Sequence, residues 1–391
     1  MKVIVTVTND LVTDQRVART CDVLSSMNAD ILLVGRKLKN SLPIKRDYPT
    51  RRLKLLFNKE FAFYAEYNIR LFFFLLFHKF DVLFANDLDV LMPNVMVAKL
   101  KHKPIVYDSH EYFTGMPELV GRDSVKKFWK RIEDKYIPKV DSMITVNQSI
   151  ADTYHKEYGI DVQVIRNVPL SYESNPDIQC EDVVKEIGGK YIIYQGAVNL
   201  QRGLEETIAA MEFVEGYKFV IAGDGDILNA LKTMVASLPW RNKIVFLGRI
   251  SPANLRKYTM CASLGLSPEL DCCTNYHFAL PNKFFDYINA NIPVLVSDLV
   301  EMVNIVKQYD IGEIIKSHDA KELGSQINSM LANKERLAAY KENTKIAAGQ
   351  LCWEKESLKL KEILSEYVSC KTDDVSEEPP ENRRIMSNQN N

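Results

Sequence analysis

Residues 263–298 read SLGLSPELDCCTNYHFALPNKFFDYINANIPVLVSD, and the order of elements in this stretch decides the fold. Leu264-Gly265-Leu266-Ser267 is short and apolar, the form of a buried strand. Glu269 to His277 is polar and aperiodic, hence a loop. Pro281 suits the first turn of a helix, where a missing N–H costs little. Phe284, Phe285 and Ile288 then recur at helical spacing, and Ile292 to Val296 is the next buried strand. A helix that begins just past a strand's carboxyl end lies where open α/β sheets bind ligands. Its first turn carries Asn282 and Lys283, and Asp286 follows about one turn later. Unpaired N–H groups, the helix dipole and a lysine at one helix start suit a phosphate. A carboxylate one turn on suits the hydroxyls of a ribose. The plain alternative is a core helix with a surface Lys and Asp.

The surrounding chain has 391 residues, the length of two domains. Lys plus Arg number 50 against Asp plus Glu at 51, which argues against a dedicated nucleic-acid binder. The seven cysteines are odd in number and scattered, without paired C-x-x-C spacing, so a reducing cytoplasm is expected. Cys272-Cys273 has no second ligand pair nearby beyond His277, so no metal site is expected there. MKVIVTVTND reads as a strand and not as a signal peptide. LFFFLLF, residues 71–77, is too short to span a membrane and reads as a buried helix.

From the amino end, Val3 to Val5 opens a parallel sheet, Gln15 to Met27 is a helix, and Ile31 to Gly35 is the second strand. The turn between them lacks G-x-G-x-x-G and is no dinucleotide fingerprint. Asp10, Asp14 and Arg16 in that turn are candidates to meet a substrate, although Asp14 also suits an N-cap. A basic tract follows, Arg36 to Lys59, with Phe57, Phe61, Phe63 and Tyr64 mixed in or following. It fits either an anionic lipid surface, possible peripheral membrane contact, or a solvated loop beside a core helix. Asp81 to Ala85 is a strand that ends in Asn86-Asp87-Leu88-Asp89, read as loop and cap. Pro104 to Asp108 is another, ending in Ser109-His110-Glu111, so His110 lies at a strand's carboxyl end. Glu322 to Tyr340 reads as one long amphipathic helix. Asp373 to Asn391 is poor in apolar residues and expected to be disordered.

The 263–298 stretch resembles the donor-binding segment of GT-B glycosyltransferases, specifically the retaining enzymes of glycosyltransferase family 4. Leu280 to Tyr287 and Pro293 to Asp298 match a pattern close to LPNKLFEYMAAGKPVVASD. Asp286 stands where that pattern has glutamate, and a second glutamate, eight residues earlier, falls on Phe278; Glu269 or Asp271 is expected to serve in its place. VYDSHEYF, residues 106–113, is similar to the segment that places a histidine on the donor sugar. V-I-x-N-x-P matches Val164 to Pro169. Gly196 and Arg202-Gly203 match part of G-R-x-x-x-x-K-G, but Ala197 replaces the arginine, and Arg249 is the candidate substitute. FVIAGDG, residues 219–225, matches F-x-I-x-G-x-G, and Gly248 precedes residues that meet the base.

The resemblance implies α/β GT-B architecture, two Rossmann-like domains facing across a cleft. Residues 1–169 would form the acceptor-side domain, 170–189 a linker, and 190–350 the nucleotide-sugar domain. Residues 351–370 would form a helix returning to the first domain, and 371–391 a disordered tail. The implied activity moves a sugar, with retention, from a UDP-, GDP- or similar sugar to a glycan or lipid-linked acceptor, in surface polysaccharide or glycoconjugate synthesis. His110, Arg202 and Lys283 would be catalytic. Gly196, Gly223, Gly248, Arg249, Glu269, Asn282 and Asp286 would bind donor, with Asp10, Asp14, Arg16 and Glu111 on the acceptor side. No metal or cofactor is expected, no nucleic-acid partner, and a cytoplasmic location, at most on the inner face of the membrane. A GT-B-like sugar-nucleotide epimerase and a decayed nucleotide-sugar-binding scaffold are the alternative readings.

Overall fold

The computed structural model describes residues 1–171 and 178–368. Short runs rich in Val, Ile, Leu and Phe, buried on both faces, pair as parallel strands with helices between them. The first sheet holds β1 (Lys2–Thr6), β2 (Asp30–Lys37), β3 (Thr50–Lys54), β4 (Val82–Asn86), β5 (Ile105–Ser109), β6 (Ser142–Thr145) and β7 (Val162–Val164). Its order is β3-β2-β1-β4-β5-β6-β7, and every pairing is parallel. The second holds β8 (Tyr191–Gln195), β9 (Lys218–Ala222), β10 (Ile244–Gly248), β11 (Leu264–Ser267), β12 (Val294–Val296) and β13 (Gly312–Ile314). Its order is β10-β9-β8-β11-β12-β13, again wholly parallel. Strand order reverses between β1 and β4 in one sheet and between β8 and β11 in the other. These are the two places where such sheets open a ligand crevice. The segment quoted first thus spans β11, the helix Asn282–Asn289 and β12.

The helix Trp353–Val368 packs against the helix Gln15–Ser26 of the first sheet's domain, burying Leu360 and Leu364. Glu356 accepts from the backbone N–H of Arg166 at 3.0 Å, and the hydroxyl of Tyr367 donates to the carbonyl of Asp141. The 371–391 tail lies outside the described residues.

Three expectations are corrected. Residues 322–340 are not one helix: Ala320–Ala332 ends at Asn333, whose side chain accepts from the N–H of Arg336 and starts Lys334–Gln350. Cys180 and Cys261 are joined in a disulfide, Cα to Cα 5.1 Å, although 81 residues separate them. No local spacing announces that pair, because only the wrapping of the second sheet brings the two helices together. LFFFLLF is buried on one face only: Leu71 and Leu75 are inside, but Phe73 is 52 % and Phe77 78 % exposed. Among the described residues, no helix is long and apolar enough to cross a membrane.

Candidate functional site

A cleft of about 700 Å³ runs between the two sheets, with Asp14, Arg16 and His110 on one wall and Gln195, Asn282 and Asp286 on the other. A side branch of about 320 Å³ adds Glu111, Arg202 and Tyr276.

On the second-domain wall, the loop after β8 turns sharply under steric pressure. A Cβ on Gly223 would stand 1.8 Å from the Gly196 carbonyl oxygen, so the ends of β8 and β9 touch backbone to backbone. Gly203 has φ +67, and a Cβ there would stand 1.9 Å from the Pro268 carbonyl oxygen. That approach presses the loop carrying Arg202 onto the end of β11. The guanidinium of Arg202 lies over the Tyr276 ring, 4.8 Å from its centroid, and its Nε is buried with no hydrogen-bond partner. That nitrogen remains available to a ligand oxygen.

The helix Asn282–Asn289 begins at Pro281, which offers no capping side chain. Asn282 is exposed into the cleft, while Phe284, Phe285 and Ile288 bury the opposite face. Lys283 takes an unexpected direction. Its ammonium points into the floor, pairs with Glu269 and sits 3.8 Å from the centroid of Tyr194. Its stem packs beneath Gly196, Cε 3.6 Å from where a Cβ would be. Burial pushes the Lys283 pKa down to about 8, against the pull of Glu269. Burial would raise Glu269, yet Lys283 holds its pKa below the ordinary value.

Glu269 therefore does not line the cleft. It is fully buried, its carboxylate accepts from the Ser267 hydroxyl at 2.7 Å, and Arg202 Nη1 lies 3.9 Å away. It gathers Lys283 and Arg202 to one point. Asp271, the other candidate, sits in the outer loop paired with His277 at 2.7 Å. Phe278 packs on the first domain's apolar core, so no carboxylate replaces it in place. Arg249 is exposed and lines a smaller pocket with Gly196, Gly223 and Gly248.

Asp286 lines the cleft and accepts from Gln195 Nε2 at 2.8 Å; Gln195 Oε1 in turn accepts from the Thr259 hydroxyl at 2.6 Å. This relay fixes the carboxylate's direction. Sequence reasoning missed Gln195, Thr259 and Tyr194. The signal was Gln195's place as the last residue of a central strand.

On the first-domain wall, His110 is held by two carboxylates. Nδ1 is 3.2 Å from Asp87 and Nε2 3.5 Å from Asp108, with Asn86 Oδ1 also 3.2 Å from Nε2. Burial alone would lower the His110 pKa, but Asp87 and Asp108 outweigh it and raise it to about 9. The ring is an imidazolium at neutral pH whose nitrogens are engaged within the protein, so it offers the cleft positive charge more than a free N–H. Asp87 stands at the N-cap position of the helix Leu88–Leu100 with φ +66 but makes no side-chain cap bond. It serves the histidine, which corrects its reading as a cap. Asp89 accepts from the Thr8 hydroxyl at 2.6 Å, and burial beside Asp87 raises its pKa to about 7.

The acceptor-side candidates divide. Asp14 caps its helix, accepting from the N–H of Val17 at 3.0 Å, and Asp10 accepts from the N–H of Val12. Arg16 is buried and spends its guanidinium on Asp108, at 2.6 and 2.9 Å, and on the Ile165 carbonyl. Burial would raise Asp108, but Arg16 and His110 hold it at about 2. Asp14 and Arg16 line the cleft while being committed to structure. Glu111 accepts from Asn275 Nδ2 at 2.9 Å across the cleft, and burial pushes its pKa up to about 7.

The family model described as Glycosyl transferases group 1 matches residues 179–347, and that described as Glycosyltransferase Family 4 matches residues 15–169. An uncharacterized glycosyltransferase of Methanocaldococcus jannaschii is 26% identical over 247 residues, covering 59% of this chain and 60% of that protein. The chain thus spans under two thirds of that curated relative's length. Sucrose-phosphate synthase of Thermosynechococcus elongatus superposes with TM-score 0.77 at 15% identity, over 95% of this chain and 100% of that one. Anabaena HepE in complex with UDP-glucose superposes with TM-score 0.70 at 14% identity, over 94% and 100%.

Proposed function

The chain belongs to the group 1 glycosyltransferases of GT-B architecture, and on that premise we propose that it transfers a hexose from a nucleoside-diphosphate donor to a glycan or lipid-linked acceptor, with retention and without a metal. The observation that carries this reading is the convergence of Arg202, Lys283 and a helix start on one point beneath the cleft, opposite the His110 imidazolium. The diphosphate would lie along Arg202 Nε and the first turn of the helix Asn282–Asn289, with the Lys283–Glu269 pair behind it. Asp286 would take the ribose hydroxyls, and the Gly248-Arg249 end of β10 the base. The solved complex of HepE with UDP-glucose supports a uridine donor by analogy.

As the bond between the sugar's anomeric carbon and the leaving phosphate stretches, negative charge grows on the diphosphate. Arg202 and the helix start stabilise that charge more in the transition state than before it. The acceptor oxygen bonds to the same face of the anomeric carbon, and its proton passes to the departing phosphate oxygen. His110 would place positive charge beside the sugar from the opposite wall. The basic tract supports peripheral contact with an anionic membrane: Lys54, Phe57, Lys59 and Phe61 are all exposed. Products would enter surface polysaccharide or glycoconjugates.

Calorimetry with UDP, GDP and their sugars, followed by turnover with and without acceptor, tests this. A transferase binds one donor and turns it over fully only with acceptor. Arg202→Ala should lower turnover by more than about tenfold with the fold intact. Wild-type turnover in that variant, or conversion of donor without acceptor, overturns the reading.

A further inference from the structure

Beside the cleft lies a second hollow, a groove of about 580 Å³ between the helices Glu60–Phe77 and Asp123–Tyr136. Its walls are largely apolar, with Phe61, Tyr64, Phe113, Met116, Phe128 and Trp129 among them. The rings form a connected series. Phe61 lies 5.7 Å from Phe128, Phe128 5.5 Å from Trp129, and Trp129 5.0 Å from Phe113. Phe61 is 67 % exposed, so a costly apolar surface is kept open to solvent.

Each end of the groove says what fits. Inward, Met116 and Glu118 line both this groove and the side branch that holds His110, Arg202 and Asn282. The groove and the branch are therefore neighbours, with Met116 and Glu118 standing between them. Outward, the groove opens at Phe61. Further along the same helix Ile69, Phe73 and Phe77 are also more than half exposed, on a face that winds away from Phe61. Arg122 and Glu60 line the groove, and Asp123, Lys126 and Lys127 are exposed on the neighbouring helix, so the outer rim is polar and of mixed charge. An apolar groove with a polar inner end beside the cleft matches an amphiphile with its sugar or headgroup inward and its tail outward.

We propose that this groove holds the aliphatic tail of the acceptor, which makes the acceptor class lipid-linked; this rests on the transferase reading of the adjoining cleft. The groove sets the register of the acceptor hydroxyl against the anomeric carbon, and the tail leaves it past Phe61.

The test titrates the full chain with methyl, butyl, hexyl and octyl β-D-glucoside, each below its micellar concentration, reading calorimetric heat and tryptophan emission. Tail burial predicts tighter binding by on the order of tenfold for every two methylenes added. Phe128→Glu and, on the opposite wall, Phe61→Glu should each weaken octyl glucoside binding by at least about tenfold. UDP and GDP binding, measured on every variant, reports whether it is folded. Affinity independent of tail length, or octyl glucoside binding untouched by both substitutions, overturns the proposal. So does a result in which both substitutions act only on anionic vesicle binding, or only on self-association in sedimentation. Failure of wild type to bind UDP or GDP while the alkyl series still binds sinks the donor reading and leaves an apolar ligand groove standing.

Discussion

Glu269→Gln isolates the pair at the centre of the site. The substitution keeps shape and removes one charge. Lys283, 7 % exposed, then has a buried ammonium with no carboxylate beside it and Arg202 close by. Breaking one side of a buried pair costs about 3–5 kcal/mol, most of it the stranded charge. At about 2–4 °C per kcal/mol for a domain of this size, the melting transition should fall by roughly 6–20 °C. The sign with pH is fixed. Lys283 already has its pKa lowered from 10.5 to about 8 in the native protein, and losing Glu269 lowers it further. A lysine depressed on folding costs stability while charged, and the variant's Lys283 sheds its proton at lower pH than wild type's, so the deficit should shrink as pH climbs toward about 8 and stay level above it. Adding Lys283→Met removes the stranded charge and should recover at least half of the loss. Scanning calorimetry of the two single variants and the double at several pH values is the assay. A loss below about 1 kcal/mol, or a double variant no better than the sum of its parts, would refute the claim that Glu269 exists to hold these cations.

Three further outcomes are expected. His110, raised to about 9, should support activity through neutral pH and lose it as pH rises past that value; Asp87→Asn should move this alkaline limb acidward, and a limb that stays put removes the assigned role. Gly203→Ala forces a Cβ toward the Pro268 carbonyl at a left-handed φ, so UDP affinity should fall by about tenfold or more in calorimetry, with unchanged affinity arguing that the Arg202 loop is not held this way. Sedimentation with anionic vesicles should show binding that weakens as salt rises; binding indifferent to salt would separate the basic tract from any membrane role.

Much of the fold was legible because its signals are local. Four- and five-residue apolar runs spaced by helical periods announce a parallel sheet, and the Pro281-Asn282-Lys283 start is readable from residue type alone. What escaped depends on contacts between distant residues. Arg16 and Asp108 are 92 positions apart, and Cys180 and Cys261 81. Lys283 was readable as a cation at a helix start, but not as one turned inward, because that direction is set by Glu269 and Tyr194 arriving from other strands. Likewise, Phe73 and Phe77 look like core in an unbroken apolar run, and only the helix's packing against its neighbour shows which face remains outside.

The two lobes are fastened at the rim of the cleft by a small set of polar contacts. Asn275 donates to Glu111 and accepts from the N–H of Tyr112 at 3.1 Å, while Asn147 donates to the carbonyl of Phe278 at 2.7 Å. The N–H of Ser149 also donates to Glu301 at 2.7 Å, and Phe278 packs on the first domain's apolar core, so the clasp joins water-replaceable bonds to a patch of apolar burial. If the lobes part to exchange spent nucleotide for fresh, these contacts and the seat of Phe278 must all release.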